Sequence, residues 1–324
     1  MKKKIDYQSI MLFVFFTTVF LLIGCSDDVV EPEVSGSLKL IGTINAGLAY
    51  GVFADDGFAF ITNNDGLVIF DIQNPSNSQK VGSINLGVSF GVMVNNNIAY
   101  AVGNYGLSII DISNRSNPQK IGSLQLHGTG HRISLKNSLV FIATSIGLEI
   151  VNISDSTDPY TIGNYNSDGG AWGIAHFEDM VYLADGTKGL LVIDVTNPSI
   201  PQKIYSVYST QNAWDVHVNG VILYLACHNS GVRTFDISNK QIPQLTVNYK
   251  DNDGGEALGI WGNGNKIFVA DNYGIEMIDV SDISNPQEVG TVENLNGAHD
   301  IYVNDSYVYV AEGVQGLIIL ECTN

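Results

Sequence analysis

Imidazole and carboxylate side chains are the usual ligands of zinc and related metals, and this chain holds a small set of them at matched places. His131, His299, Asp215 and Asp300 could together bind a metal and activate water. They come from distant segments, so they meet only if the fold brings those segments to one point. No HExxH motif and no Ser/His/Asp order offers a local alternative, and the other histidines fall at unmatched places. A second set is aromatic: Tyr50, Phe90, His131, Trp172, Trp214 and His299 recur at intervals close to forty residues, with Leu258 filling the one gap. A third set stands at the end of the second strand of each unit, as Asp185, Asp271 and Glu312, with Asn63, Gly103, Thr144 and Cys227 at the matching places. Stacking rings beside Asp185, Asp215, Asp271, Asp300 and Glu312 suit a sugar or a peptide. The same residues would equally serve as packing near an axis and as caps on neighbouring strands. The stretch DNDGGE offers Asp251 and Asp253 as calcium ligands, but its glycine is misplaced and the distal acid of a calcium loop is missing. A tight-turn requirement explains the same glycines.

The elements that position these residues are repeats. Asp71, Asp111, Asn152, Asp194, Asp236, Asp279 and Glu321 stand 40, 41, 42, 42, 43 and 42 residues apart. A glycine precedes each by five residues, from Gly66 to Gly316. A period of this length means a solenoid or a propeller. Each unit divides into four short runs, as in AWDVHV, ILYLAC, GVRTFDI and PQLTVNY, rich in Val, Ile and aromatics and separated by Gly, Asn, Asp and Pro. That is strand chemistry, and no helix of ten residues is expected after the N-terminal segment.

The second run carries an aromatic at one fixed place: Phe60, Tyr100, Phe141, Tyr182, Tyr224, Phe268 and Tyr309. Only a repeated packing slot demands this. Runs that are apolar on both faces belong to sheets sandwiched between sheets, as in radially arranged blades. Proline opens the fourth run in five units and cannot donate to a ladder, so that run is the outer edge strand. The last unit stops after its third run, while LIGTIN at residues 40–45 matches the fourth runs VGSIN and IGSLQ. The expected fold is therefore all-β: a seven-bladed β-propeller of four-stranded antiparallel blades, closed by the N-terminal strand pairing into the last blade.

The runs LLVIDVTNPSIPQ, LSIIDISNRSNPQ and IEMIDVSDISNPQ, with AWDVHV and AHDIYV as opening strands, resemble the LVIVD repeat of bacterial and archaeal cell-surface proteins. The resemblance covers residues 37–324 and departs from the pattern at Asn152 and Glu321, where the repeat has aspartate. It implies a propeller and assigns no chemistry.

Residues 1–24 read as a signal peptide, with a basic start and a 14-residue apolar run too short to span a bilayer. The run ends in LIGC, which resembles the lipobox of bacterial lipoproteins and implies cleavage before Cys25 and acylation of its sulfur. Residues 25–36 read as an acidic tether, in which Ser26, Asp27 and Asp28 resemble the surface-export signal of Bacteroidetes-type lipoproteins; a plain solvated linker is the alternative. Residues 37–324 form the propeller. Removing the signal moves the net charge from −18 to −20. So acidic a surface argues against nucleic acid as a partner. Cys227 and Cys322 fall two units apart, so no disulfide is expected.

The expected protein is a monomer, lipid-anchored outside the cytoplasm at the outer membrane or cell surface of a bacterium. It binds or scaffolds a glycan, peptide or protein on its loop face and needs no cofactor. The alternative is a metal-dependent hydrolase or lactonase with its site at the channel mouth.

Overall fold

The computed structural model describes residues 32–208, 212–250, 255–295 and 297–323. Cys25, Asp251 and Asp253 lie outside them, as do the signal segment and most of the tether. The described residues form seven antiparallel sheets and one short 3-10 turn, Pro75–Asn77. Five sheets are consecutive blades of four strands: Ala49–Asn85, Ser89–Leu124, Gly130–Asn166, Gly173–Val207 and Asp215–Tyr249. Blade 6 runs from Gly259 to Glu293 and blade 7 from Ala298 to Cys322. The first strand of each blade packs against the first strands of its two neighbours, which closes a ring around an axis.

Blade 7 takes its outer strand from the other end of the chain. Leu38–Ile44 pairs antiparallel with Gly316–Cys322, Leu38 opposite Cys322 and Ile44 opposite Leu317. The closing strand is thus in the expected place, two residues longer at its start. The structure departs from the sequence reading just before it. Glu33–Gly36, assigned to the tether, is a fifth strand on blade 6, with Glu33 opposite Glu293 and Gly36 opposite Gly290. Its Val34 packs onto the core between blades 6 and 7. Gly36 makes the turn between the two strands at φ +64°, where a Cβ would meet the Val289 carbonyl at 2.3 Å. The signal was hard to read because only four residues pair and only one of them is a large apolar residue.

The aromatic column is core. Phe60, Tyr100, Phe141, Tyr182, Tyr224, Phe268 and Tyr309 are all buried. Each side chain packs into the blade that follows its own: Tyr224 of blade 5 lies with Ile260, Ile267 and Ile278 of blade 6. Tyr309 of blade 7 likewise lies with Val52 and Ile61 of blade 1. Hydrophobic burial is therefore divided into a sequence of wedges between blades, and a large flat side chain fills each wedge.

The recurrent glycine opens the third strand immediately after a hairpin. At Gly106 the backbone has φ +88°. At Gly274 a Cβ would come 1.8 Å from the Val292 carbonyl of the outer strand. Positive φ or a crossing carbonyl excludes a side chain at this place. The prolines stand directly before their outer strands, as Pro118 does before Gln119. Cys227 and Cys322 are free thiols.

Candidate functional site

Two kinds of connection open on one end of the ring: the hairpins between second and third strands, and the links from each outer strand to the next inner strand. The residue that enters each inner strand lies at the mouth of the axis on this loop face. Six of these residues form a contiguous arc of rings. His299 lies 5.7 Å from Tyr50, Tyr50 lies 5.2 Å from Phe90, and Phe90 lies 6.1 Å from His131. His131 stacks on Trp172 at 4.4 Å with planes 3° apart, and Trp172 meets Trp214 at 4.5 Å. His228, from the hairpin of blade 5, continues the arc against Trp214 at 5.9 Å. All these rings are half-buried, so each keeps an edge or face toward the opening.

One residue further along each inner strand the axis narrows. Here the chain has Gly51, Gly91, Gly173 and Gly259, with three charged residues between them: Arg132, Asp215 and Asp300. Blade 7 lies opposite blade 3 in a ring of seven, and Arg132 spans the gap. Its Nη2 donates to the His299 carbonyl at 2.8 Å and lies 3.3 Å from Asp300 Oδ1. Its Nη1 donates to the Phe90 carbonyl at 3.2 Å. The two aspartates also tie blade to blade. Asp300 Oδ2 accepts from Val52 N at 3.0 Å, and Asp215 Oδ2 accepts from Ile260 N at 3.1 Å. The axis is thus closed below the aromatic mouth by a cation and two carboxylates bonded to backbone.

This arrangement leaves His131 and His299 neutral, while at the far end of the arc His228 Nε2 lies 3.2 Å from Glu256 Oε2. Burial pulls the His131 imidazole down to about 4, against the Ala171 hydrogen bond and with help from the Arg132 charge. The Ala171 carbonyl only accepts, so Nδ1 carries the proton in this 2.8 Å bond. Burial, then Arg132, lowers His299 to about 4 as well. Burial raises Asp215 to about 7, opposed by Arg132 and reinforced by Asp300. Burial also raises Asp300, again opposed by Arg132.

The acidic rim does not form. Asp185, Asp271 and Glu312 are buried at 0%, 2% and 0% exposure. Two of them cap hairpins: Asp271 Oδ1 accepts from Tyr273 N at 2.7 Å and Gly274 N at 2.5 Å, and Glu312 Oε2 accepts from Gln315 N at 2.6 Å. Asn63 does the same for Asp65 N and Gly66 N. Ser167 donates to Asp185, whose carboxyl burial raises to about 6. A side-chain oxygen at the end of the second strand satisfies hairpin amides that no strand partner reaches. These acids are therefore structural, and the rings form the mouth without them.

The metal set fares similarly. His131, His299, Asp215 and Asp300 do converge on the axis, but His131 Nδ1 and both carboxylates are committed to backbone and to Arg132. Among the described residues no three His, Cys, Asp or Glu side chains are grouped to hold a metal.

Sequence reasoning left out the tips of the loop-face hairpins. Tyr105, Tyr273 and Val314 are 71%, 52% and 71% exposed, and Ile146 and Leu48 are also exposed on this face. Tip residues do not repeat from unit to unit, so periodicity gave no signal for them. Arg132 aligns with Asp215 and Asp300 in the sequence but was given no role, because its six counterparts are glycine or aspartate.

A closed ring of four-stranded blades, with the N-terminal strand Leu38–Ile44 and the last strand joined in one sheet, defines a β-propeller of seven blades. The LVIVD repeat model matches residues 46–85, 87–125, 127–167, 168–209, 211–251, 254–294 and 297–324, and the chain belongs to the LVIVD repeat family. No curated protein matches it. Solved structures share the architecture. The β-propeller domain of Myceliophteria thermophila Cps50 (Swd1) superposes with a TM-score of 0.72 at 12% identity, over 89% of this chain and 100% of that one. The WD40 propeller domain of Doa1 gives 0.70 at 9% identity, over 88% and 97%. The computationally designed Ika8 protein gives 0.66 at 10% identity, over 89% and 100%. Identities this low carry the fold alone.

Proposed function

We propose that this chain is a lipid-anchored, extracytoplasmic binding propeller of a bacterial outer membrane or cell surface, which takes its ligand at the aromatic mouth. The observation that carries the reading is the continuous arc from His299 to Trp214. Six half-buried rings from consecutive blades share one opening on a rigid scaffold. With His131 and His299 neutral and Arg132 paired below, recognition along these six rings rests on stacking and hydrogen bonding. Sugar rings and the apolar or aromatic side chains of a peptide or protein have the matching chemistry. The LIGC sequence supports the anchor at Cys25, and the acidic surface is compatible with a solvated extracytoplasmic domain.

The test is a glycan and peptide array probed with the chain starting at Pro32. Trp172→Ala with Trp214→Ala should weaken any captured ligand about ten- to thirtyfold, from ~1 kcal/mol per lost stacking contact. Val221→Ala on the opposite face should leave it unchanged. Binding that survives the double variant, in a protein whose melting curve shows it folded, contradicts the reading.

A further inference from the structure

On the face opposite the aromatic mouth, the loop between third and outer strands closes the wedge against the preceding blade. The closing residue stands four places after the one that ends the third strand. Arg115 does this between blades 1 and 2. Its guanidinium lies 4.9 Å from the Phe58 ring centre and 5.8 Å from that of Phe60. Its Nη1 donates to the Ile112 carbonyl and, at 3.4 Å, to Asn97 Oδ1, both of its own blade. Lys240 holds the matching place between blades 4 and 5, where its carbonyl accepts from the Tyr182 hydroxyl at 2.7 Å. Ile283 holds it between blades 5 and 6, in the cluster that contains Tyr224. Ser156 bonds Tyr100 between blades 2 and 3.

Between blades 3 and 4 the matching residue is Pro198, and a cavity of about 380 Å³ stays open, lined by Leu139, Phe141, Asp179, Val195 and Thr196. That is the size of a small ligand pocket, ~300–1,000 Å³. Each group that holds Arg115 has a counterpart here. Leu139 and Phe141 stand where Phe58 and Phe60 do. Val195 N donates to the Asp179 carbonyl at 2.9 Å, as Ile112 N does to that of Asn97 at 2.8 Å. The Val195 carbonyl therefore matches that of Ile112, and Asp179 matches Asn97 with a carboxylate in place of an amide. Asp179 Oδ2 accepts from Thr196 Oγ1 at 3.0 Å, and Oδ1 lies 2.5 Å from Lys240 Nζ. Each oxygen has room for a second hydrogen bond. Lys136 at the cavity edge opposes a cation, but its ammonium donates to the Glu178 carbonyl. The Glu178 carboxylate, also paired with Lys240, balances the second ammonium of this wall.

We infer that the wedge between blades 3 and 4 is a docking slot for an arginine side chain of a partner polypeptide. Its guanidinium lies over Phe141, donates to the Val195 carbonyl and pairs with Asp179, as Arg115 does with the corresponding groups one wedge earlier in the ring. A planar guanidinium stacks on a ring and forks between two acceptors, which an ammonium does not. Two residues beyond Pro198, Ile200 is 61% exposed, where blades 1, 2 and 6 have Asn77, Asn117 and Asn285. An exposed apolar side chain beside the slot gives a contact to the polypeptide that carries the arginine, and a free amino acid has no use for it. The net charge of −18 favours the approach of a cationic segment. The slot needs neither the anchor nor a ligand at the aromatic mouth.

The test is methyl NMR of the full chain, read at Leu139 and Val195. The probes are the peptide Gly-Gly-Arg-Leu-Gly, capped at both ends, and the same peptide with uncharged citrulline for arginine. The arginine peptide should shift both methyl signals saturably, and the citrulline peptide should bind at least about tenfold more weakly, having lost the charge-assisted hydrogen bonds. Asp179→Asn should weaken the arginine peptide about three- to tenfold. Pro198→Arg places an arginine of the chain itself in the slot, so it should abolish the shifts without lowering the melting temperature. Equal binding of the two peptides, or no shift at ~10 mM arginine peptide, overturns the inference. So does undiminished binding to a folded Pro198→Arg. If that variant unfolds, the citrulline and Asp179→Asn comparisons decide. Free arginine that binds more tightly than the capped peptide makes the slot an amino-acid site and overturns the polypeptide partner.

Discussion

Asp215 shows how one residue can serve the architecture and also make it pH-dependent. It joins blade 5 to the Ile260 amide of blade 6 and faces the Arg132 charge. Its folded pKa of about 7 stands well above the ordinary 3.8, so folding favours the protonated acid. That contribution to stability is complete below about pH 4 and is lost as pH rises toward 7. The unfolding free energy of the wild type relative to Asp215→Asn should therefore fall between pH 4.5 and 7.5. Comparison of the two proteins also cancels the histidines: His131 and His299 have lowered values, so their contribution is lost as pH falls from 6.5 toward 4. Urea unfolding at three pH values measures the difference, and a pH-independent gap would contradict the buried position of this carboxyl. The sequence exposed this site only in part. The rings were legible because they repeat, and the repeat aligned them at one level. Asp271 and Glu312 also stand at one matched place, with Asn63, but a polar residue there marks a local need, and that need was a hairpin cap.

At the scale of the element, the unit of structure is the strand that is apolar on both sides, with its aromatic reaching into the next blade. Tyr224 is 2% exposed and packs against Ile260 and Ile267. Tyr224→Ala should cost about 3–5 kcal/mol, the transfer and cavity terms together. Tyr105→Ala, at a hairpin tip, should leave the melting temperature of the protein where it was. Equal effects at the two positions would mean that the column is not the core between blades. These strands were readable from sequence because burial on both faces leaves long apolar runs, glycine marks each hairpin and proline marks each outer edge. Glu33–Gly36 was not, since an added edge strand needs only backbone groups to pair, and EVSG carries little pattern. It belongs to blade 6 and not to the segment before the propeller.

The whole molecule depends on a non-covalent seam at which two N-terminal strands join blades 6 and 7. Blades 1 to 6 are each completed by neighbouring sequence, whereas blade 7 is completed by Leu38–Ile44 from the other end of the chain. Lys39 faces Glu321 at 3.2 Å across the seam, but that pair is exposed and contributes little; the backbone ladder and the burial of Leu38 do more. Without the strand, Gly316–Cys322 becomes an open edge, which invites pairing with other chains. Joining Leu38–Ile44 to the last strand also makes contacts of very high sequence separation, so closure should be slow. The most direct test of the seven-bladed, self-closed ring is thermal unfolding, with light scattering, of two chains that start at Pro32 and at residue 47. The first should be a monomer with one cooperative transition. The second should aggregate or melt at a clearly lower temperature. Equal melting curves and equal monomer content would contradict the closure, and with it the arrangement of blades that brings the aromatic mouth together.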